Sequence, residues 1–311
     1  MAATWASTRF AALGTDCLIR VRGTADEMRD TLEAARIRVT SIHDEMSIFD
    51  PSSAVSRLND AAGTGWVSVP DDVANVLARG RELGETTGGA FDVTVAPLAA
   101  LWKPCIRRGC VPTPREVDRA RRGVGWGHVR FDEAAHEVAI DAGTSIDLGG
   151  IAKGFAADEV VRILRERGVS DALVDLGGSI TVLGSPEETG PWRVGIQNPL
   201  APTGASATQV LVRDVSVVTS GTNERFFMRD GRRYHHVVDP STGWPSRTGL
   251  LGVTVIARDA LAADALATAI LVAGAQRGVG WVRALGLEAV LIFEDGGIVS
   301  TAPLDVELDP R

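Results

Sequence analysis

The stretch from Asp259 to Gly274, Asp-Ala-Leu-Ala-Ala-Asp264-Ala-Leu-Ala-Thr268-Ala-Ile-Leu-Val-Ala-Gly, places the tightest constraint on this chain. Asp259 has the chemistry of a helix N-cap and Gly274 that of a stop, so a helix is expected between them. That helix is almost wholly apolar. Its only interior polar residues are Asp264 and Thr268, which lie four apart and share a face. An ionised carboxylate on such a helix is costly unless something pairs with it. A carboxylate and a hydroxyl are hard oxygen ligands that suit magnesium, an ion that keeps waters and shares its site with substrate phosphates. The plainer alternative gives Asp264 an arginine partner and lets Thr268 bond back to its own helix.

A second segment, Asp147-Leu-Gly-Gly-Ile-Ala-Lys153-Gly-Phe-Ala-Ala-Asp158, sets an acid, two glycines and a lysine at the start of another expected helix. Helix starts attract anions because their first N–H groups lack partners and the dipole is positive there. Gly149 and Gly150 allow close backbone approach, and Lys153 can neutralise a phosphate. Ala156, Val160, Ile163 and Leu164 then recur at helical spacing, with Gly168 as the stop. A tight turn into a surface helix would give the same local pattern.

A third segment, Arg233-Tyr-His235-His236-Val-Val-Asp239-Pro-Ser-Thr-Gly243, reads as a short strand leading to a turn. Strand alternation sends His235 and His236 to opposite faces, so one can face a site while the other does not.

The three segments stand in a longer ordered series. It runs through Ala12-Leu13-Gly14-Thr15, Ser47-Ile-Phe49, Ser53-Ala-Val-Ser-Arg57-Leu-Asn59, Thr87-Gly-Gly-Ala90-Phe91-Asp92-Val-Thr-Val-Ala-Pro97-Leu98 and Trp102. After the Asp147 segment come Gly177-Gly178, Ser220-Gly221, Arg225, the His236–Gly243 segment and Ala263–Thr268. In this order the pieces resemble the ApbE-type flavin transferases, the FAD:protein FMN transferases, over roughly Phe10 to Ser300. The resemblance implies that FAD is split at its pyrophosphate. FMN passes to a Ser or Thr hydroxyl of an acceptor flavoprotein as a phosphoester, AMP leaves, and magnesium is the metal. It implies magnesium ligands at Asp264 and Thr268, with backbone carbonyls near Gly150 and Ala267. Lys153 and Asp147 would contact the flavin nucleotide, and Ala90, Phe91 and Asp92 would line its pocket. Leu13 and Val238 would add apolar contacts. His236 is the candidate for acid/base work or for orienting the acceptor hydroxyl, since histidine suits proton transfer near neutral pH. FAD pyrophosphate hydrolysis and non-catalytic flavin binding are the alternatives. Three departures stand out: Leu13 for a common methionine, Phe155 for a frequent tyrosine, and Asp175 and Ser179 where the family often has Asn and Asp.

At 311 residues the chain can form one large or two modest domains, and 45% hydrophobic content supports a sizeable core. Runs of strands between helices favour α+β over a doubly wound sheet. The resemblance implies a T-fold-like architecture with mixed or antiparallel sheets and packed helices. It makes residues 1–311 a single domain with interleaved subdomains. Strands are expected near Cys17–Val21, three times within 127–146, several times within 171–238 and at Glu288–Phe293, with a hairpin through Asp295–Gly297 to Ile298–Thr301. Helices are expected over Ala25–Met46, Asp71–Thr86 and Gly278–Leu285, while 103–125 reads as a loop with one short helix. A formal charge of −8 argues against a nucleic-acid partner, and no apolar stretch is long enough to insert into a membrane. Cys17, Cys105 and Cys110 fit no metal spacing and read as free thiols, with a Cys105–Cys110 disulfide as the alternative. With no signal-like start, a cytoplasmic location is expected. Thr203-Gly-Ala-Ser206 resembles the end of the family's acceptor motif, but Leu200 stands where an aspartate is expected, and a polar loop is the simpler reading.

Overall fold

The computed structural model describes residues 4–301 apart from 133, 187–189, 203 and 224. The chain opens with a hairpin of β1 (Trp5–Ala12) and β2 (Thr15–Arg22). Leu13 and Gly14 turn it at φ 53 and 72, the doubly left-handed geometry of the tightest hairpins. Helix α1 (Ala25–Met46) begins with a capping box in which Thr24 and Glu27 satisfy each other's backbone N–H groups. Its buried stripe includes Leu32, Ala35, Val39, Ile42 and Met46. Next come α2 (Ala54–Asp60), β3 (Val67–Ser68), α3 (Asp71–Thr86), a 3-10 turn at Val93–Val95, α4 (Ala96–Arg108), α5 (Pro114–Arg121), β4 (Val129–Asp132) and β5 (Glu137–Ile140). The second half holds α6 (Ala152–Glu166), β6 (Ala172–Leu176), β7 (Ser179–Leu183), β8 (Trp192–Gln197), β9 (Ser206–Val212), β10 (Ser216–Gly221), β11 (Phe226–Arg229) and β12 (Arg232–His235). It closes with β13 (Leu250–Ala257), α7 (Ala260–Ala273), α8 (Ala275–Ala284), β14 (Glu288–Phe293) and β15 (Ile298–Ser300).

One eight-stranded sheet, in the order β1-β2-β6-β7-β10-β13-β14-β15, organises these elements. Every pairing in it is antiparallel. Helices α1, α6 and α7 pack along one face, and α7 buries Leu261, Leu266, Ile270 and Leu271. The β8–β9 hairpin covers the other face, setting Trp192, Val194 and Ile196 against Val217, Ile256 and Ile292. A separate apolar cluster joins Leu98, Trp102, Val117, Tyr234 and Val238, so α4, α5 and the β11–β12 hairpin form a small lobe. The α+β expectation holds, and the sheets are antiparallel rather than mixed.

Several local expectations change. Residues 103–108 are helical, because α4 extends to Arg108 in spite of Pro104. An internal proline costs about 3 kcal/mol, which the burial of Leu98 and Trp102 and the bond from Trp102 Nε1 to Gly243 O (2.9 Å) offset. Among the described residues of 127–146 only β4 and β5 are strands, and β5 takes β3 as its other neighbour. The half-polar β1 and the short α2 lacked a periodic signal. Val237 and Val238 lie beyond the end of β12, with Val238 in an isolated bridge to Pro245. Helix α8 starts at Ala275, three residues before the expected Gly278, because Gly274 ends α7 and caps α8 at once. Cys17, Cys105 and Cys110 are free thiols. Ser206 opens β9 rather than sitting in a loop, and Thr203 lies outside the described residues.

Candidate functional site

Two hairpin turns mark one end of the large sheet. Cys17 pairs with Leu176 across β2 and β6, which brings the Leu13–Gly14 turn beside Gly177–Gly178. A β-carbon on Gly177 would land 2.1 Å from Thr15 Oγ1, so only glycine permits this approach. Ser179 pairs with Val218, which leads β10 on to Ser220 at the same end.

Here the two expected helices meet. Asp264, 2% exposed, lies on α7. Its Oδ1 and Oδ2 stand 3.4 and 3.5 Å from Lys153 Nζ, and Oδ2 accepts from Gly154 N at 3.1 Å. Both partners come from the first turn of α6. The carboxylate therefore meets a lysine and a helix N-terminus rather than an arginine. Thr268, one turn along α7, bonds Ser220 Oγ at 3.0 Å and does not turn back on its own helix. Gly150 completes this side: a β-carbon there would lie 3.8 Å from Thr268 Oγ1 and 3.3 Å from Phe91 Cε2. The flavin-pocket candidates therefore adjoin the metal candidates.

Asp92 caps the 3-10 turn by accepting from Thr94 N (2.8 Å) and Thr94 Oγ1 (2.6 Å). Burial pushes its carboxyl above the ordinary range, and the Thr94 bonds oppose that. Asp147 N donates to Val93 O at 2.8 Å, which fastens the Asp147 loop to that turn. The Asp147 side chain accepts from Gly149 N at 2.8 Å. It keeps some solvent access yet is enclosed deeply enough that desolvation raises its pKa, with the Gly149 bond and the Lys103 charge opposing. Ala90 and Phe91 are buried, and Ala267 is buried on α7.

The lobe contributes the remaining candidates. His235 is buried on β12, and its Nε2 donates to Ser246 O at 3.0 Å. Burial lowers its pKa to about 4, so it stays neutral at physiological pH. His236 is half-buried just past the strand, with its backbone N–H on Arg225 O at 3.2 Å. The two histidines thus differ in burial: His235 is enclosed at the end of β12, and His236, the next residue, keeps partial solvent access. Val238 belongs to the lobe's apolar cluster, and Leu13 sits at the β1–β2 turn. Their places come from other elements than α6 and α7.

Three residues gained significance only from the structure. Ser220 stood in the ordered series without a role and proves to hold Thr268. Lys103 acts on Asp147 across sequence and sets its ammonium 3.9 Å from the centre of the exposed Phe49 ring, a cation–π contact. Asp158 bonds the start of α7. Only the helical pattern of α4 could have indicated Lys103, and Pro104 obscured it.

The cluster combines a buried carboxylate, a hydroxyl, glycine backbone and an ammonium group. Among the described residues no three His, Cys, Asp or Glu side chains gather as a chelating set. The donors that do gather are oxygens, the ligand type of hard divalent ions that retain water. Such a set can bring an ion against an anionic ligand, with Lys153 offsetting further charge.

Known proteins share both sequence and architecture with this chain. A family model described as the ApbE family matches residues 13–291. An FAD:protein FMN transferase of Treponema pallidum is 36% identical, over 93% of this chain and 85% of its own length. That of Escherichia coli K12 is 32% identical, over 82% and 74%. The crystal structure of an ApbE protein from Thermotoga maritima superposes with a TM-score of 0.86 at 34% identity, covering 96% of this chain and 97% of that one. The apo flavinyl transferase ApbE of Pseudomonas stutzeri gives 0.84 at 27%, covering 97% and 95%. A family match across most of the sequence and the same architecture lead to one conclusion: this chain belongs to the ApbE family.

Proposed function

We propose that the chain is an FAD:protein FMN transferase that cleaves FAD at its pyrophosphate and joins FMN by a phosphoester to a Ser or Thr of an acceptor flavoprotein. The observation that carries this reading is the meeting of Asp264 and Thr268 with Lys153 and Gly150 across two helices. Asp264 and Thr268, with the carbonyls of Gly150 and Ala267, would hold magnesium, and the oxygen-only donor set fits that ion. Bound there, it supplies charge neutralisation for the pyrophosphate.

Lys153 binds a phosphate oxygen of FAD. Ala90, Phe91 and Asp92 wall the flavin nucleotide, Asp147 contacts it from the adjoining loop, and Leu13 and Val238 give apolar contact. The acceptor oxygen attacks the phosphorus of the FMN half, and the bond to AMP breaks. His236 receives the acceptor's proton on an imidazole nitrogen or orients the hydroxyl. Catalysis of this kind is mostly positioning and charge compensation, which suits residues fixed on two packed helices. The acceptor's Ser or Thr must stand in an exposed loop to line up opposite the departing AMP. The whole chain acts as one domain, with the α4–α5 lobe as an interleaved part. No helix among the described residues is long and apolar enough to cross a membrane.

Incubation with FAD, magnesium and a flavoprotein acceptor, followed by intact mass spectrometry, tests this reading. An acceptor heavier by one FMN, with AMP released, is the expected result. Free FMN and AMP without an adduct would make the chain a pyrophosphatase, and unchanged FAD would make it a flavin-binding protein.

A further inference from the structure

At their crossing, α6 and α7 each grip the first turn of the other with a carboxylate. Gly154 N of α6 donates to Asp264 Oδ2 at 3.1 Å. In return, Ala260 N and Leu261 N of α7 donate to Asp158 Oδ1 and Oδ2 at 3.0 and 2.9 Å. Asp158 follows Gly154 by four residues, and Asp264 follows Ala260 by four. Each acid thus stands one turn beyond the crossing, on the face of its helix that meets the other. The backbones touch at this point: a β-carbon on Gly154 would fall 2.3 Å from Ala260 O and 2.6 Å from Leu261 Cα. Two positive helix ends face each other, and the exchanged carboxylates compensate both.

The two acids differ in what else they do. Asp264 also meets Lys153, so it belongs to the site. Asp158 takes the first two N–H groups of α7, and Asp259 takes the next through Ala262 N at 2.8 Å. The start of α7 is thereby fully hydrogen-bonded. Another tie to this end of α7, Arg79 to Asp259, is exposed on both sides, where ion pairs hold weakly.

We propose that Asp158 is a positioning residue of the flavin-transfer site: its carboxylate fixes α7 against α6 and so sets the spacing of Asp264 and Thr268 from Lys153 and Gly150. The proposal rests on the transferase reading for what the site does, but the clamp itself is a property of the two helices. Asp158 touches neither substrate nor metal candidates. It acts because the groups to be spaced lie on different helices, and a small sliding of one past the other moves Asp264 away from Gly154 and Lys153. Such misplacement is costly to reactions that depend on alignment.

Asp158→Asn tests this. The amide keeps the shape but turns a donor toward one of the two N–H groups. Outer residues that orient metal ligands typically change metal affinity by about 10- to 100-fold. Half-saturating magnesium for FMN transfer should therefore rise about tenfold or more, with turnover recovering at high magnesium. Independently of metal and activity, hydrogen exchange of the Gly154 amide should quicken about tenfold, since local opening sets that rate and Asp158 does not itself bond that N–H. If Asp158→Asn does not fold, Asp158→Glu carries both measurements, because its longer arm displaces α7 while keeping the charge. Parental magnesium dependence and parental Gly154 exchange in the folded variant would overturn the proposal, and so would a loss confined to melting temperature. A parent that works without magnesium would overturn the metal reading alone, and Gly154 exchange would then decide this one.

Discussion

Lys153 Nζ stands 3.4 and 3.5 Å from the two oxygens of Asp264, a spread and lengthened pairing. Charge-assisted N–H···O bonds usually close to about 2.7–2.9 Å. The lysine compensates the buried carboxylate without saturating it, and both groups remain able to take a ligand between them. Asp264→Asn is expected to lower magnesium-dependent transfer by about 100-fold or more, since several kcal/mol of charge stabilisation depend on the ion. Thr268→Val should act in the same direction and more weakly, and it removes the partner of Ser220. Turnover as a function of magnesium checks both; parental rates at ordinary magnesium would end the ligand assignment.

Lys153→Met should weaken FAD binding by about 10- to 100-fold, the scale of a lost hydrogen bond to a charged group. Fluorescence titration with FAD measures it. A variant that binds FAD normally would place Lys153 outside the nucleotide site.

The histidine pair separates chemistry from structure. His236→Ala should lower single-turnover transfer by about 10²- to 10⁴-fold with FAD affinity little changed, the range of general acid–base effects. His235→Ala should instead cost about 1–3 kcal/mol of stability, because Ser246 O loses its buried donor. Transfer rates and melting curves of the two variants should therefore fall on different axes. A His236→Ala that loses FAD affinity alone would reduce its role to binding.

Burial raises the Asp158 carboxyl from 3.8 to about 7, with Asp259 and Glu159 adding to the rise and the N–H groups of Ala260 and Leu261 opposing it. The folded value lies above the unfolded one. The stability this protonation confers is full below pH 3.8 and is lost as pH rises through about 7. The melting temperature of the parent, measured against Asp158→Asn, should therefore fall between about pH 4 and 7 and level off above, by on the order of a few kcal/mol in stability. A pH-independent difference would mean that the carboxyl is ionised throughout.

Gly154→Ala should destabilise the fold by about 1–3 kcal/mol, the usual cost of overpacking, because its methyl would meet backbone rather than a yielding side chain. Thermal unfolding checks this. A stabilised variant, as expected for a free helix position, would show that the helices can separate at no cost.

Much of this was legible in the sequence, for identifiable reasons. Asp264 and Thr268 stood out because an apolar helix leaves nothing else polar, and Lys153 because glycines and an acid preceded it. The partners were not legible. Which cation would meet Asp264, and that Ser220 would hold Thr268, depends on long-range pairing of β10 with β7 and β13, which local periodicity does not encode. The helical character of 103–108 was hidden by Pro104, whose local preference yielded to the packing of Trp102. His235 and His236 could be assigned to opposite faces by strand alternation, but only the bond to Ser246 O tells which one is locked.

The chain's single tyrosine has an optical consequence. Tyr234 stacks at 5.9 Å on Trp102 and at 5.0 Å on Phe227, and Trp102 meets Trp244 edge-on at 5.5 Å. Light absorbed by Tyr234 passes to an indole at this separation, so its emission is expected to be almost dark in the folded protein. The segment next to His236 thus carries its own lamp: separation of the β11–β12 hairpin from α4 would restore tyrosine emission, so local opening of this lobe has a signal of its own.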